Sequence, residues 1–280
     1  MSKRKHRHGG SPIRKPDREG ATWLFGTHAV LAAIANPDRT CRRLVAVPVA
    51  ADTLAAAAKT AAPPRPAVEL LDPRGLEALL PPGSVHQGVA VLAEALAQPG
   101  LDQLLQDLGP DTAARVIVLD QASDPRNVGA VLRSAAAFGA AAMIVQDRHA
   151  PAETGTLAKA ASGALEVVPM VAVTNIARSL ERLKNAGFWC LGLAGDADRP
   201  LPALEPMPRL ALVMGAEGPG LRRLVRETCD VLARIPMQSG GPGRGVDSLN
   251  VSVAAAIALY ELARHDLVAP AGLKPPAAGH

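Results

Sequence analysis

Val116-Ile117-Val118-Leu119-Asp120-Gln121-Ala122-Ser123-Asp124-Pro125-Arg126-Asn127-Val128-Gly129 reads as a buried strand, a polar loop and the first turn of a helix. Four aliphatic residues in succession suit a strand covered on both faces. Asp124 is placed to cap the helix and Pro125 to occupy its first position, where a missing N–H costs nothing. Val128, Val131, Leu132, Ala135 and Ala136 give the helix one apolar stripe, and Gly139 ends it.

The same unit recurs downstream. Strands are predicted at 142–146, around 167–173, and at 188–194, 209–215 and 231–235. Helices are predicted up to Ala161, at 174–187, from the Gly215 turn to Thr228, and through the alanine-rich run that follows Ser248. Strands alternating with helices imply an α/β fold with a mostly parallel sheet covered on both faces, here over residues 114–266.

Upstream, residues 21–95 form a second, smaller α/β unit. Leu24 to Ile34 reads as strand, turn and helix, Arg43 to Val47 as a strand, 50–60 as a helix, Ala67 to Leu71 as a strand and Arg74 to Leu80 as a helix. His86-Gln87-Gly88 then turns into a strand at Val89 to Ala93. His28 and His86 have no partner at suggestive spacing, so local hydrogen bonding competes with RNA contact as their role. Residues 96–113 hold a short polar helix between Pro99-Gly100 and Gly109-Pro110 and read as a linker. Residues 1–20 carry seven Lys or Arg and little to bury, which marks a disordered basic arm, and 267–280 form a Pro/Ala/Gly-rich tail.

The chain has 280 residues, 48% of them apolar, enough for two modest domains with aliphatic cores. Only six residues are aromatic, which argues against base-stacking platforms built from exposed rings. A net charge of +4 and a pI near 9.2 point towards an anionic partner. No apolar run reaches the roughly 18 residues of a membrane span, and no apolar segment follows the basic N-terminus, so a cytoplasmic location is predicted. Cys41, Cys190 and Cys229 are far apart, with no CxxC and no HExxH, which predicts reduced thiols and no metal.

Three loops at strand C-termini carry unusual polar content, where open α/β sheets bind ligands. The first presents Asn127 and, two turns into its helix, Arg133 among Val, Leu and Ala. The second presents Glu217 just before Pro219, an acid that a helix dipole alone would favour. The third presents Ser248 and Asn250, which also suit a helix cap and a first turn. Gly240, Gly241, Gly243 and Gly245 match no GxxxxGK[ST] loop, and neither domain has GxGxxG after its first strand.

Taken together, LDQASDPRNVGAVLRSAAAFGA (119–140), LVMGAEGPGL (212–221) and IPM with SLNVSVAAAIALYE (235–261) closely resemble the three motifs of the SpoU branch of the SPOUT RNA 2′-O-ribose methyltransferases. Leu24 to Val30 and His86 to Val89 resemble the start and end of the L30e-like RNA-binding domain of that family's 23S rRNA guanosine 2′-O-methyltransferases. The resemblance implies a C-terminal SPOUT domain with a trefoil knot, preceded by a small L30e-like domain. It implies S-adenosylmethionine held by Gly215, Glu217, Gly218, Ile235, Met237 and Leu249, and a reaction centre of Asn127, Arg133, Glu217, Ser248 and Asn250. The substrate implied is 23S rRNA at the P-site loop, with tRNA ribose methylation or an idle RNA-binding assembly factor as alternatives.

Family members dimerise through the last helix, and Leu249, Val253, Ala256 and Tyr260 repeat there at 4-3-4 spacing, so a homodimer is expected. One departure is Gln238 to Asp247, longer than the few residues usual between IPM and SLN.

Overall fold

The computed structural model describes residues 20–216, 218–238 and 248–268. The basic arm, Glu217, most of the 238–247 loop with the knot crossing expected there, and the C-terminal tail from residue 269 lie outside the described residues. The chain divides between Ala95 and Leu96 into two compact units.

The first unit runs β1 (Ala21–Phe25), α1 (Thr27–Ala35), β2 (Cys41–Ala46), α2 (Pro48–Thr60), β3 (Val68–Leu70), α3 (Pro73–Leu79) and β4 (Val89–Glu94). Its sheet has the order β1-β4-β2-β3, with β4 antiparallel to both neighbours and β3 parallel to β2. Phe25, Val45 and Ala90 pack with Leu76 and Leu80 around α3, while Leu24, Leu44 and Val91, of opposite parity, are also buried. Both faces are therefore covered. Arg65 closes the exit of α1: its guanidinium donates at 2.9 Å to the carbonyl of Ile34, in the helix's last turn, and at 2.7 Å to that of Arg39 in the loop beyond it. His86 takes the local role, its Nδ1 accepting from Gly88 N at 3.1 Å, and Gln87 Oε1 accepts from Thr27 N at 3.0 Å to close the start of α1.

The second unit runs α4 (Leu101–Leu108), β5 (Ala114–Leu119), α5 (Pro125–Ala137), β6 (Ala142–Gln146), α6 (Gly155–Ala161), β7 (Met170–Val173), α7 (Ile176–Asn185), β8 (Trp189–Leu193), β9 (Arg199–Pro200), β10 (Arg209–Met214), α8 (Arg223–Thr228), β11 (Val231–Arg234) and α9 (Val251–Val268). Its seven strands have the order β7-β6-β5-β10-β8-β11-β9, and every pairing is parallel. Because all strands point one way, their C-terminal ends form a single edge.

The linker reading fails for α4. Leu101 and Leu104 are buried in the core with β5, β6 and α7, and Leu105 and Leu108 pack beside them. Leucines at i, i+3, i+4 and i+7 make one apolar face, a signal that the flanking Pro-Gly pairs obscure in the sequence. Arg209, 8% exposed, seals this entry by donating to Gly109 O at 2.8 Å and Thr112 O at 2.6 Å. Its guanidinium also stacks 4.4 Å above Phe188.

α5 and α6 lie unusually close. A Cβ on Gly129 would stand 2.6 Å from both Ala160 Cβ and Leu157 O, so only glycine allows this approach.

Candidate active site

The site forms on the C-terminal edge where β5, β10, β8 and β11 lie side by side. Asp124 caps α5 as expected, its Oδ1 accepting from Arg126 N at 2.9 Å, with Pro125 in the first turn. That fixes the backbone from which Asn127 projects.

α9 packs against α5 and starts from the same edge. Asn250 Nδ2 donates to Asn127 Oδ1 at 3.1 Å, and farther along Phe138 and Tyr260 meet edge to face at 5.8 Å. Contacts at both ends in the same chain order make the two helices parallel neighbours. Asn250 also accepts at Oδ1 from Ser252 N at 2.8 Å and Ser252 Oγ at 2.6 Å, so it, and not Ser248, caps α9. Ser248 is exposed just before it.

Arg133 is exposed on α5 and has no hydrogen bond or ion pair among the described residues. Six residues at about 100° each turn it roughly 120° from Asn127 around the helix, so it does not join the Asn127–Asn250 contact within this chain.

The turn after β10 is built by glycines. A Cβ on Gly215 would lie 2.0 Å from Gly220 C, and Gly218 and Gly220 have φ values of +87° and +68°. Gly220 N donates to Ala216 O at 3.2 Å, closing the turn. Helix α8 begins only at Arg223, so Pro219 belongs to the turn. At the neighbouring strand end, Ile235 is half-buried and Met237 is 42% exposed, while Leu249 before α9 is half-buried.

Two residues at this edge escape the sequence reading. Asp120 is fully buried at the end of β5, and Arg222 reaches it with Nε at 2.8 Å and Nη2 at 2.5 Å from Oδ1. An acid ending an otherwise aliphatic strand is the signal that could have marked it, since such a group needs a cation once buried.

Residues 114–260 match the SpoU rRNA Methylase family, and residues 23–99 match the RNA 2′-O ribose methyltransferase substrate binding family. The chain is 47% identical to the 23S rRNA (guanosine-2′-O-)-methyltransferase RlmB of Ralstonia nicotianae over 188 residues, 66% of this chain and 72% of that protein. It is 40% identical to the protein of the same name from Xylella fastidiosa over 246 residues, 86% of this chain and 96% of that one. In fold it is similar to the SpoU methyltransferase AviRb of Streptomyces viridochromogenes, solved in complex with the cofactor AdoMet, with a TM-score of 0.72 at 21% identity over 90% of this chain and 92% of that one. With both units matched and these relatives covered over most of their length, the chain belongs to the SpoU rRNA Methylase family.

Proposed function

We propose that the protein transfers a methyl group from S-adenosylmethionine to the ribose 2′-hydroxyl of a guanosine in 23S rRNA, in the P-site loop, acting in the cytoplasm as a homodimer. The observation that carries this reading is the Asn127–Asn250 contact, which joins two motifs 123 positions apart at one sheet edge. Identity of 47% to a protein named for this reaction supports the substrate. The unit spanning residues 23–99 supplies a separate surface for RNA.

The residues present fit the cofactor. Gly218 and Gly220 leave open space where a Cβ would be, and exposed Met237, with half-buried Ile235 and Leu249, offers apolar surface suited to an adenine. S-adenosylmethionine, when bound, supplies a methyl group that is already electrophilic on its sulfonium. The protein therefore has mainly to orient the ribose oxygen and exclude unproductive poses. Asn127, Ser248 and Asn250 provide donors and acceptors for that placement, and the motif resemblance assigns Glu217 to the same task. Arg133 carries a guanidinium, a delocalised cation with donors and no acceptor, which makes it a poor base. It serves by clamping a phosphate or stabilising the developing alkoxide, not as a base.

Exposed Val253, Ile257 and Tyr260 recur at i, i+4 and i+7 on α9, while Ala255, Ala258, Leu259 and Ala263 are buried. This second apolar face supports pairing of two copies through α9.

Incubation with labelled S-adenosylmethionine and separate 23S rRNA and tRNA transcripts tests the reading. Label should enter 23S rRNA, and Arg133→Ala should slow single-turnover transfer by roughly 10²-fold or more with cofactor affinity unchanged. Preferential labelling of tRNA would replace the substrate, and a near-normal rate in the variant would remove Arg133 from the reaction.

A further inference from the structure

Asp120 closes both ends of the turn between β10 and α8. Its backbone N–H donates to Met214 O at 2.8 Å, carrying the β5–β10 ladder one residue past the strands, just before the turn departs. Its carboxylate receives Arg222 where the turn returns, through the backbone N–H at 3.1 Å and Nε at 2.8 Å, with Nη2 2.5 Å away. One residue thus grips both feet of the excursion. The inner wall has no slack, since Gly215 and Gly220 already touch without side chains. Where Arg222 is held therefore bears on where Gly215, Gly218 and Gly220 stand.

The charges are arranged for a fixed geometry. Asp120 is 0% exposed and the Arg222 side chain 38%, so the carboxylate has little water to fall back on and depends on this partner. Two side-chain donors and one backbone donor from the same residue define direction as well as distance. A lone apolar contact could not do this.

We propose that Asp120 and Arg222 are positioning residues for cofactor binding: the pair fixes the turn that presents Gly215 and Gly218. The proposal rests on the reading of those glycines as cofactor-binding. Loss of an ion pair serving only stability would lower the unfolding temperature and leave the cofactor KM of the folded enzyme unchanged. Loss of a positioning pair raises KM, because a displaced turn offers its backbone groups in the wrong place, and leaves kcat at saturating cofactor close to wild type.

Calorimetric titration of S-adenosylmethionine into the full chain, with steady-state kinetics on 23S rRNA, separates these cases. R222A should raise both Kd and cofactor KM by about tenfold or more, displacement of a binding group being costly on this scale, with kcat at saturation within about threefold. R222K, which keeps a cation at a partly exposed position and so retains the fold, should recover part of the affinity, and D120N should shift Kd in the same direction as R222A. Wild type that takes up no cofactor overturns the reading of the glycines and this proposal with it. Wild-type binding with unchanged Kd in R222A and R222K overturns the positioning role alone.

Discussion

Asn250 Nδ2 donates to Asn127 Oδ1 at 3.1 Å while Asn250 Oδ1 holds the first turn of α9, so one side chain both starts a helix and ties it to the start of another. The two functions are separable by substitution. Asn250→Ser keeps a capping oxygen but is too short to reach Asn127; Asn250→Ala removes both.

We predict that Asn250→Ala loses about 1 kcal/mol of stability from the missing cap, whereas Asn250→Ser loses little. Both should transfer methyl groups slowly. Thermal unfolding beside a transfer assay checks this, and full activity in the Ser variant would reduce Asn250 to a cap.

Gly129→Ala should destabilise the second unit by roughly 1–3 kcal/mol, the usual cost of overpacking. The added carbon would stand 2.6 Å from Ala160 Cβ and Leu157 O, and the latter is backbone that cannot swing aside. Urea denaturation measures the loss; unchanged stability would mean that α5 and α6 separate freely.

The parts of the fold set by local pattern were legible in the sequence. The strand at 114–119 and its capped helix follow from an aliphatic run, Asp124 and Pro125, and the structure places them within two residues of expectation. What was not legible depended on distant partners. α4 read as a linker because its leucines meet β5, β6 and α7 only in the folded unit. The turn after β10 was marked by its glycines, but not that α8 begins only at Arg223 or that Arg222 is received by Asp120, 102 positions away. The motifs singled out Asn127 and Asn250, but the bond between them and the capping role of Asn250 appear only once α5 and α9 lie side by side.

Burial pushes the Cys190 and Cys229 thiols up from 9.0 to about 12, helped by the nearby Asp230 carboxylate. Both should therefore resist alkylation at pH 8.5 in the native protein and react once guanidinium unfolds it. In the unfolded chain these thiols ionise near 9.0, and in the folded one near 12, so their contribution to stability is complete below pH 9 and declines as pH rises towards 12. Mass spectrometry after timed iodoacetamide treatment reads the first effect. Rapid native labelling of either cysteine would show that its burial is transient.

Replacing Ile257, which is 40% exposed on α9, with Asp places a charge in the apolar stripe between Val253 and Tyr260. The expected outcome is a wild type of dimer mass and a variant of monomer mass by light scattering at micromolar concentration, with the unfolding temperature of the subunit little changed. A wild-type monomer would refute pairing through this face.

The central claim concerns which atom receives the methyl group, and nucleoside analysis of 23S rRNA treated with the full-length protein and S-adenosylmethionine addresses it most directly. After complete digestion, the account predicts 2′-O-methylguanosine, with the modified site resistant to alkaline cleavage on its 3′ side and located in the P-site loop. Methylation on a base, or on the ribose of a different nucleoside, would contradict it.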